Sequence, residues 1–379
     1  MDLQPRCPEY RVRLFMSVDL VGSTAFKAAS GGETAPGTPL ARWIIRTRHF
    51  YRTFPTIYLR RYGDEVGSEE LACYKEMVPR LWKTIGDEII FCCRVLSVTH
   101  AACAVMAFVK TLKEYGDTLD GFGPGLDVKG CAWVAAFPAP NLTVRIPTDG
   151  SYQPSDATTD NRLPDENDEA RADSYPHNFD FLGKNLDSGF RMSKYSASDR
   201  LSVSAELAFI LCEAAHHDHF SASFMYHGRE SLKGVIKERP YPIVTVDTER
   251  STRRKEIVEF ERAVTRSVDA RPLQLKNFLS SFMDDAGIEK PALPMTLESA
   301  REKPNLPKSY QDFKDAWQKG LESEKKLTEV EQISADSQDD GTQALPDTLQ
   351  QALKQAVSVA NAANNPSTTA KQDASETRP

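Results

Sequence analysis

The sequence predicts an α+β fold: a sheet built on a β-α-β-β-α-β succession, with further strands after it and helices on one face. Three observations carry this. The chain opens on a strand-period alternation, its middle holds a hairpin followed by a helix-period stretch, and such patterning persists from about residue 8 to residue 250. Beyond that, residues 251–295 still show helical spacing. Residues 296–379 are polar, predicted mostly disordered and dispensable.

The first strand follows from Val12, Leu14, Met16, Val18 and Leu20, which share one face. Arg13, Phe15, Ser17 and Asp19 share the other, leaving one side packed and one available for chemistry. The turn VGST follows, and Ser23 or Thr24 can cap a helix from about Ala25. Residues 31–39 form a Gly/Pro loop. Residues 40–62 are dense in aromatics and arginines at helical spacing, mostly packing residues, with Phe50 and Tyr51 as candidates to wall a pocket. Residues 80–93 read as a hairpin turning at Gly86-Asp87. His100 to Tyr115 carries Ala101, Val105, Phe108, Val109 and Leu112 on one helical face. A strand spans Val128 to Phe137, and residues 138–178 read as a long inserted loop, its acidic stretch at 156–173 solvated. A turn into a helix at 179–195, a helix near 205–214 and strands near 219–227, 230–237 and 241–247 close the domain.

A formal charge of −7 with no basic stripe argues against a nucleic-acid or anionic-membrane surface. No apolar run reaches the ~20 residues that span a bilayer, and Asp19 interrupts the only signal-peptide candidate. The seven cysteines are odd in number, mostly within apolar stretches, and form no C-x-x-C pair. Reduced thiols in a cytoplasmic protein are the expectation.

Asp19 and Asp87 are the most informative residues. Each ends a hydrophobic run at a turn, in LFMSVDLVGST and LWKTIGDEIIF. A carboxylate at the end of a buried strand is costly unless a cation meets it. Two in one domain suggest a divalent metal site suited to phosphoryl chemistry, and Lys83 adds a cationic donor four residues before Asp87. His216, His217 and His219 form a second cluster, read as solvated residues at a helix end. Neither a G-x-x-x-x-G-K-[ST] loop nor a G-x-G-x-x-G fingerprint is present, so a nucleotide must be held another way.

VDLVGST, KTIGDEIIF, FDFLGKNLDSGFRM and GRESLKG occur in the order and spacing of the class III nucleotidyl cyclases, which residues 10 to 247 resemble. Within that class the chain looks most like the bacterial pyrimidine (uridylate or cytidylate) cyclases of Pycsar antiphage defence systems. The resemblance implies a ferredoxin-like βαββαβ core, and a head-to-tail homodimer with composite active sites. Asp19 and Asp87, with the Leu20 carbonyl, look like ligands of two divalent cations, Mn²⁺ or Mg²⁺. Lys83 and Asp180 match the base-contacting pair, and Arg191 matches the arginine that meets charge developing on the triphosphate. The family's ribose-orienting asparagine is Asp187 here, a departure that adds negative charge near phosphates. The implied activity is conversion of UTP to cyclic UMP and pyrophosphate, the product acting on a separate effector protein. A cytidylate cyclase, an adenylate cyclase and a degenerate nucleotide sensor are the alternatives. A lysine donor and an aspartate acceptor fit adenine, cytosine and uracil alike, so hydrogen-bond polarity does not choose the base.

Overall fold

A strand of eleven residues, β1 (Arg11–Val21), runs through the centre of the sheet. The computed structural model describes residues 5–29, 34–35, 37–122, 125–146, 163–236, 239–265, 270–301 and 305–336. After β1 come α1 (Ser23–Ala29), α2 (Arg42–Glu65), the hairpin β2 (Arg80–Ile85) and β3 (Glu88–Val95), α3 (Val98–Asp120) and β4 (Asp127–Phe137). These four strands lie in the order β2-β3-β1-β4, every neighbouring pair antiparallel, which is the ferredoxin-like arrangement. The segment that follows holds β5 (Leu142–Arg145), α4 (Glu166–Ser174), β6 (Phe179–Leu182) and α5 (Lys184–Met192). Then β7 (Arg200–Val203), α6 (Ala205–His216), β8 (Phe224–Ser231) and β9 (Pro240–Asp247) extend the sheet to seven strands, β4–β7 being its one parallel pairing among the described residues.

The alternation in β1 places its even-numbered residues under α2 and α3. Tyr58 of α2 reaches across, its hydroxyl 3.0 Å from the Met16 sulfur and 3.2 Å from the Ala104 carbonyl. Phe54, Tyr58, Phe91 and Phe108 interlock there as edge-to-face or tilted rings.

The odd-numbered face of β1 is not the open side the alternation suggested. Arg11 and Arg13 are buried, and α4 covers them. Glu166 lies 2.6 Å from Arg11, while Glu169 and Asp173 lie 2.7 and 2.6 Å from Arg13. Burial works against the Arg13 charge, but Asp173 and Glu169 outweigh it and raise the guanidinium pKa. The expectation of an unstructured, solvated insertion over 138–178 is corrected accordingly. Glu166, Glu169 and Asp173 recur at helical spacing and meet Arg11 and Arg13. Residues 147–162 of that insertion lie outside the described residues. Further along the same face, Phe15 sits among Trp82, Trp133, Phe137 and Phe181, which seat the two-stranded β5–β6 sheet and α5 on the main sheet. Along β1 only Asp19 and Val21, at its C-terminal end, are partly exposed; Ser17 is buried.

After β9 come α7 (Thr252–Thr265), α8 (Pro272–Ala286), which packs on α6, and α9 (Lys308–Asp336). The stretch before α9 is anchored. The amides of Val98 and Thr99 donate to the carbonyls of Pro294 and Met295 at 2.9 and 3.1 Å. The next two, His100 and Ala101, donate to the Ser97 hydroxyl and carbonyl, so all four leading amides of α3 are satisfied. Tyr310 is buried, with its hydroxyl on the Pro8 carbonyl at 3.0 Å. The polar tail is therefore structured at least over 308–336, contrary to its composition. Met1–Gln318 form one unit; the second, Lys319–Pro379, carries the rest of α9, and the disorder expected of 337–379 falls outside the described residues.

Candidate active site

Asp19 stands at the end of β1 in register with Glu88 of β3 and Lys129 of β4. Asp87 sits in the β2–β3 turn, where Gly86 takes φ of 63°, a left-handed conformation that favours glycine. The turn is tied to β1 by the Leu20 amide, which donates to the Asp87 carbonyl at 3.2 Å. Leu20's peptide thus lies between the two aspartates. Ser23, expected as a helix cap, is instead the first residue of α1, and its hydroxyl donates to the Asp87 carboxylate. Tyr51 closes the other side of the turn, its hydroxyl donating to the Gly86 carbonyl. Burial, then the nearby Asp87, raise its pKa.

Asp19 and Asp87 line one open cleft of about 460 Å³ with Glu88, Lys129, Ser193 and Ser196. Lys129 places its ammonium 3.2 Å from the Asp19 carboxylate, both side chains about a third exposed. Glu88 accepts a hydrogen bond from Ser17. Its pKa is raised, first by burial, with Asp19 and Asp87 adding to the shift and Ser17 and Lys129 opposing it. Three acidic groups and one lysine therefore share the end of the sheet. Among the described residues no three His, Cys, Asp or Glu side chains converge into a ready-made metal cage. Two aspartates with a backbone carbonyl still suit a hard divalent cation that takes its remaining ligands from water and phosphate. Lys129 already stands as a cation at one of them.

A second group of residues lies elsewhere. Lys83, on edge strand β2, makes a 2.7 Å ion pair with Asp180 on β6. The Lys83 ammonium also lies over the Trp82 ring, 4.8 Å from its centroid. A register shift between Leu81 and Lys83 turns Trp82 inward, where its indole donates to the Phe179 carbonyl at 3.0 Å and fixes β6 beside β2. Asp187 and Arg191 are both exposed on α5, and no ion pair joins them despite their i, i+4 spacing. The Arg191 guanidinium approaches Gly234, in the loop after β8. None of Lys83, Asp180, Asp187 and Arg191 lines the carboxylate cleft.

Phe50 does not wall a pocket. It is 0% exposed and packs against Phe54 and Tyr115. Phe50, Phe54 and Tyr58 recur every four residues and form the inward stripe of α2, so Phe50 faces the core while Tyr51, one step round the helix, reaches the Asp87 turn. The histidine cluster lies at the exposed end of α6, with His217 3.8 Å from Glu213, and builds no site. Sequence reasoning missed Ser17, Glu88 and Lys129. The register of Asp19 between β3 and β4 would have found the last two.

No family model and no curated protein matches the chain. Solved structures do. The adenylyl cyclase CyaB from P. aeruginosa is similar at 12% identity and a TM-score of 0.42, over 65% of this chain and 97% of that one. The guanylate cyclase domain of RhGC from Catenaria anguillulae, in complex with GTP, is similar at 11% identity and a TM-score of 0.36, over 64% and 100%. A bacterial light-regulated adenylyl cyclase is similar at 10% identity and a TM-score of 0.39, over 74% and 59%. These likenesses concern the chain trace; the functional reading rests on the side chains described above. No helix among the described residues is long and apolar enough to cross a membrane.

Proposed function

We propose that the protein is a nucleotidyl cyclase that converts UTP to 3′,5′-cyclic UMP and pyrophosphate. The observation that carries this reading is the division of the candidate residues into two groups: Asp19 and Asp87 in one cleft, Lys83 and Asp180 paired outside it. A site shared between two copies, packed head to tail, needs such a division, one chain giving the carboxylates and the other the base and phosphate contacts.

In this reading the 3′-hydroxyl attacks the α-phosphorus in line and pyrophosphate leaves. Asp19, Asp87 and the Leu20 carbonyl would hold two divalent cations, Mn²⁺ or Mg²⁺, which when bound acidify the hydroxyl and neutralise the triphosphate. Lys83 donates to the base edge and Asp180 accepts from it, exchanging their mutual ion pair for the nucleotide. Arg191, exposed beside Gly234, meets the charge that grows on the transferring and leaving oxygens. Asp187, one turn before Arg191, faces the ribose in place of an amide.

The choice of uracil, and a role for the product as a messenger to a separate effector in antiphage defence, extend the resemblance of the four motifs to the pyrimidine cyclases. The test is product formation from the four nucleoside triphosphates at equal concentration with Mn²⁺. Cyclic UMP should predominate with CTP the nearest competitor. Predominant cyclic AMP would overturn the pyrimidine preference, and binding without turnover would replace the enzyme by a sensor.

A further inference from the structure

Helix α5 carries both Asp187 and Arg191, and it meets β4 at a residue with no side chain. Leu186, Gly189 and Met192, each three residues apart, are buried on its inward side. Asp187 and Arg191 stand two residues either side of Gly189, which puts them about 200° round the helix from it, on the outer side. Gly189 is therefore the contact directly beneath both.

On β4, Cys131 and Trp133 are two residues apart and point to the same face. The Cys131 thiol donates to the Gly189 carbonyl at 3.4 Å. The Trp133 indole fills the space where a side chain on Gly189 would stand. A Cβ there would lie 2.2 Å from Trp133 Cδ2 and 2.3 Å from Cγ, well inside the 3.4–4 Å of ordinary contact. Gly189 is not among the glycines of positive φ, so the close approach and not the backbone conformation demands a glycine. Trp133 is 0% exposed, with Phe15 stacked on it at 5.7 Å and Phe190 tilted against it at 5.1 Å. A ring enclosed in this way has little room to recede, so a methyl group at position 189 would lift α5.

We propose that Gly189 and Trp133 are positioning residues for cyclisation: their contact sets how deep α5 lies on β4, and hence where Asp187 and Arg191 meet the nucleotide. This role rests on the cyclase reading, and neither residue need touch the substrate.

Steady-state kinetics of the full-length chain test it, with Mn²⁺ and the nucleoside triphosphate that the wild type turns over fastest. Misplacing a reacting group by about 1 Å can cost about 10²-fold, and Gly189→Ala should lower kcat by that order. KM should stay within about threefold, because Lys83 and Asp180 hold the base from β2 and β6 rather than from α5. Trp133→Leu, which loosens the contact, should lower kcat by about tenfold. In that background Gly189→Ala should cost no more than about a further threefold, since the smaller side chain can turn aside. Circular-dichroism melting shows which variants are folded at the assay temperature. A merely structural contact would lower the melting point and leave the kcat of the folded protein unchanged.

A folded Gly189→Ala with wild-type kcat, or with KM raised as much as kcat is lowered, would overturn the positioning role. So would a folded double variant in which the two losses simply multiply. If Gly189→Ala does not fold, the same split between kcat and KM is read from Trp133→Leu alone. A wild type that forms no cyclic nucleotide would sink the cyclase reading and this role together, an outcome distinct from an active wild type matched by Gly189→Ala.

Discussion

Lys83 and Asp180 join the edge strand of the seven-stranded sheet to the two-stranded β5–β6 sheet through a 2.7 Å ion pair, which in the proposed site a nucleotide base would open. The donor and the acceptor are thereby held at a fixed separation before substrate arrives. With both side chains about a third exposed, the pair contributes little to stability, about 0–1 kcal/mol. Its value lies in placement. Lys83→Ala and Asp180→Asn should each lower kcat/KM by roughly 10- to 100-fold while shifting the thermal midpoint by no more than about 2 °C. A large loss of stability with unchanged kinetics would make the pair structural instead.

The separation of the two residue groups predicts complementation between inactive chains. Asp19→Ala should reduce turnover by about 10²-fold or more, as should Arg191→Ala. Each variant retains one intact half of the proposed shared site. A mixture of the two should recover activity, because one site per mixed dimer combines two good halves. Absence of recovery, once subunit exchange is shown by mass-tagged copies, would place the whole site within one chain.

Lys129 supplies a positive charge where a cation would bind. Replacing it with methionine removes a like charge close to the Asp19 carboxylate and should tighten Mn²⁺ binding several-fold in the nucleotide-free protein. Titration followed by the electron paramagnetic resonance signal of free Mn²⁺ reads this directly. Weaker binding in Lys129→Met would show that the lysine positions Asp19 rather than competing at it.

Much of this architecture was legible in the residues. The alternation from Val12 to Leu20 predicts the central strand, and Gly86-Asp87 predicts the hairpin that sets Asp87 beside Asp19. What failed did so for physical reasons. Arg11 and Arg13 share a strand face, and Glu166, Glu169 and Asp173 share a helix face, but their pairing spans some 155 residues and no local pattern reveals it. The Pro- and Asn-rich flanks of that helix disguised it as loop. In α2 the error was one of phase, since Phe50 belongs to the stripe of Phe54 and Tyr58, whereas Tyr51 does not. The strand expected near 241–247 is β9, whereas those expected near 219–227 and 230–237 are one strand, β8, whose register shift between Tyr226 and Arg229 breaks its alternation.

The pH dependence of stability should carry the signature of His100. Its ring is buried, stacks on Tyr74 at 4.7 Å, and holds Nε2 2.9 Å from the Tyr62 hydroxyl. The Leu96 amide donates to its Nδ1 at 3.2 Å, which requires the neutral form. Burial lowers its pKa to about 4 from the model-peptide value of 6.5. The unfolded chain therefore binds the proton more readily than the folded one between those values. The stability this histidine contributes is fully present above pH 6.5 and is lost as pH falls toward 4. That loss amounts to roughly 3 kcal/mol at most. Urea titrations of His100→Gln should show a flatter acid limb over that window; an unchanged slope would assign the acid sensitivity elsewhere.

The polar C-terminal region divides at a point that composition does not mark. Residues 337–379 are expected to be dispensable, and a chain ending at Asp336 should keep its specific activity within a few-fold and its melting temperature within about 2 °C. Ending the chain at Leu293 is different, because it removes the Pro294 and Met295 carbonyls that receive the first two amides of α3, and Tyr310 with them. Orphaning buried amides costs about 1–3 kcal/mol each. This shorter chain should melt at least about 4 °C lower and lose the slow hydrogen exchange of the Val98 and Thr99 amides. Undiminished protection of those two amides would show that α3 finds other partners for its first turn.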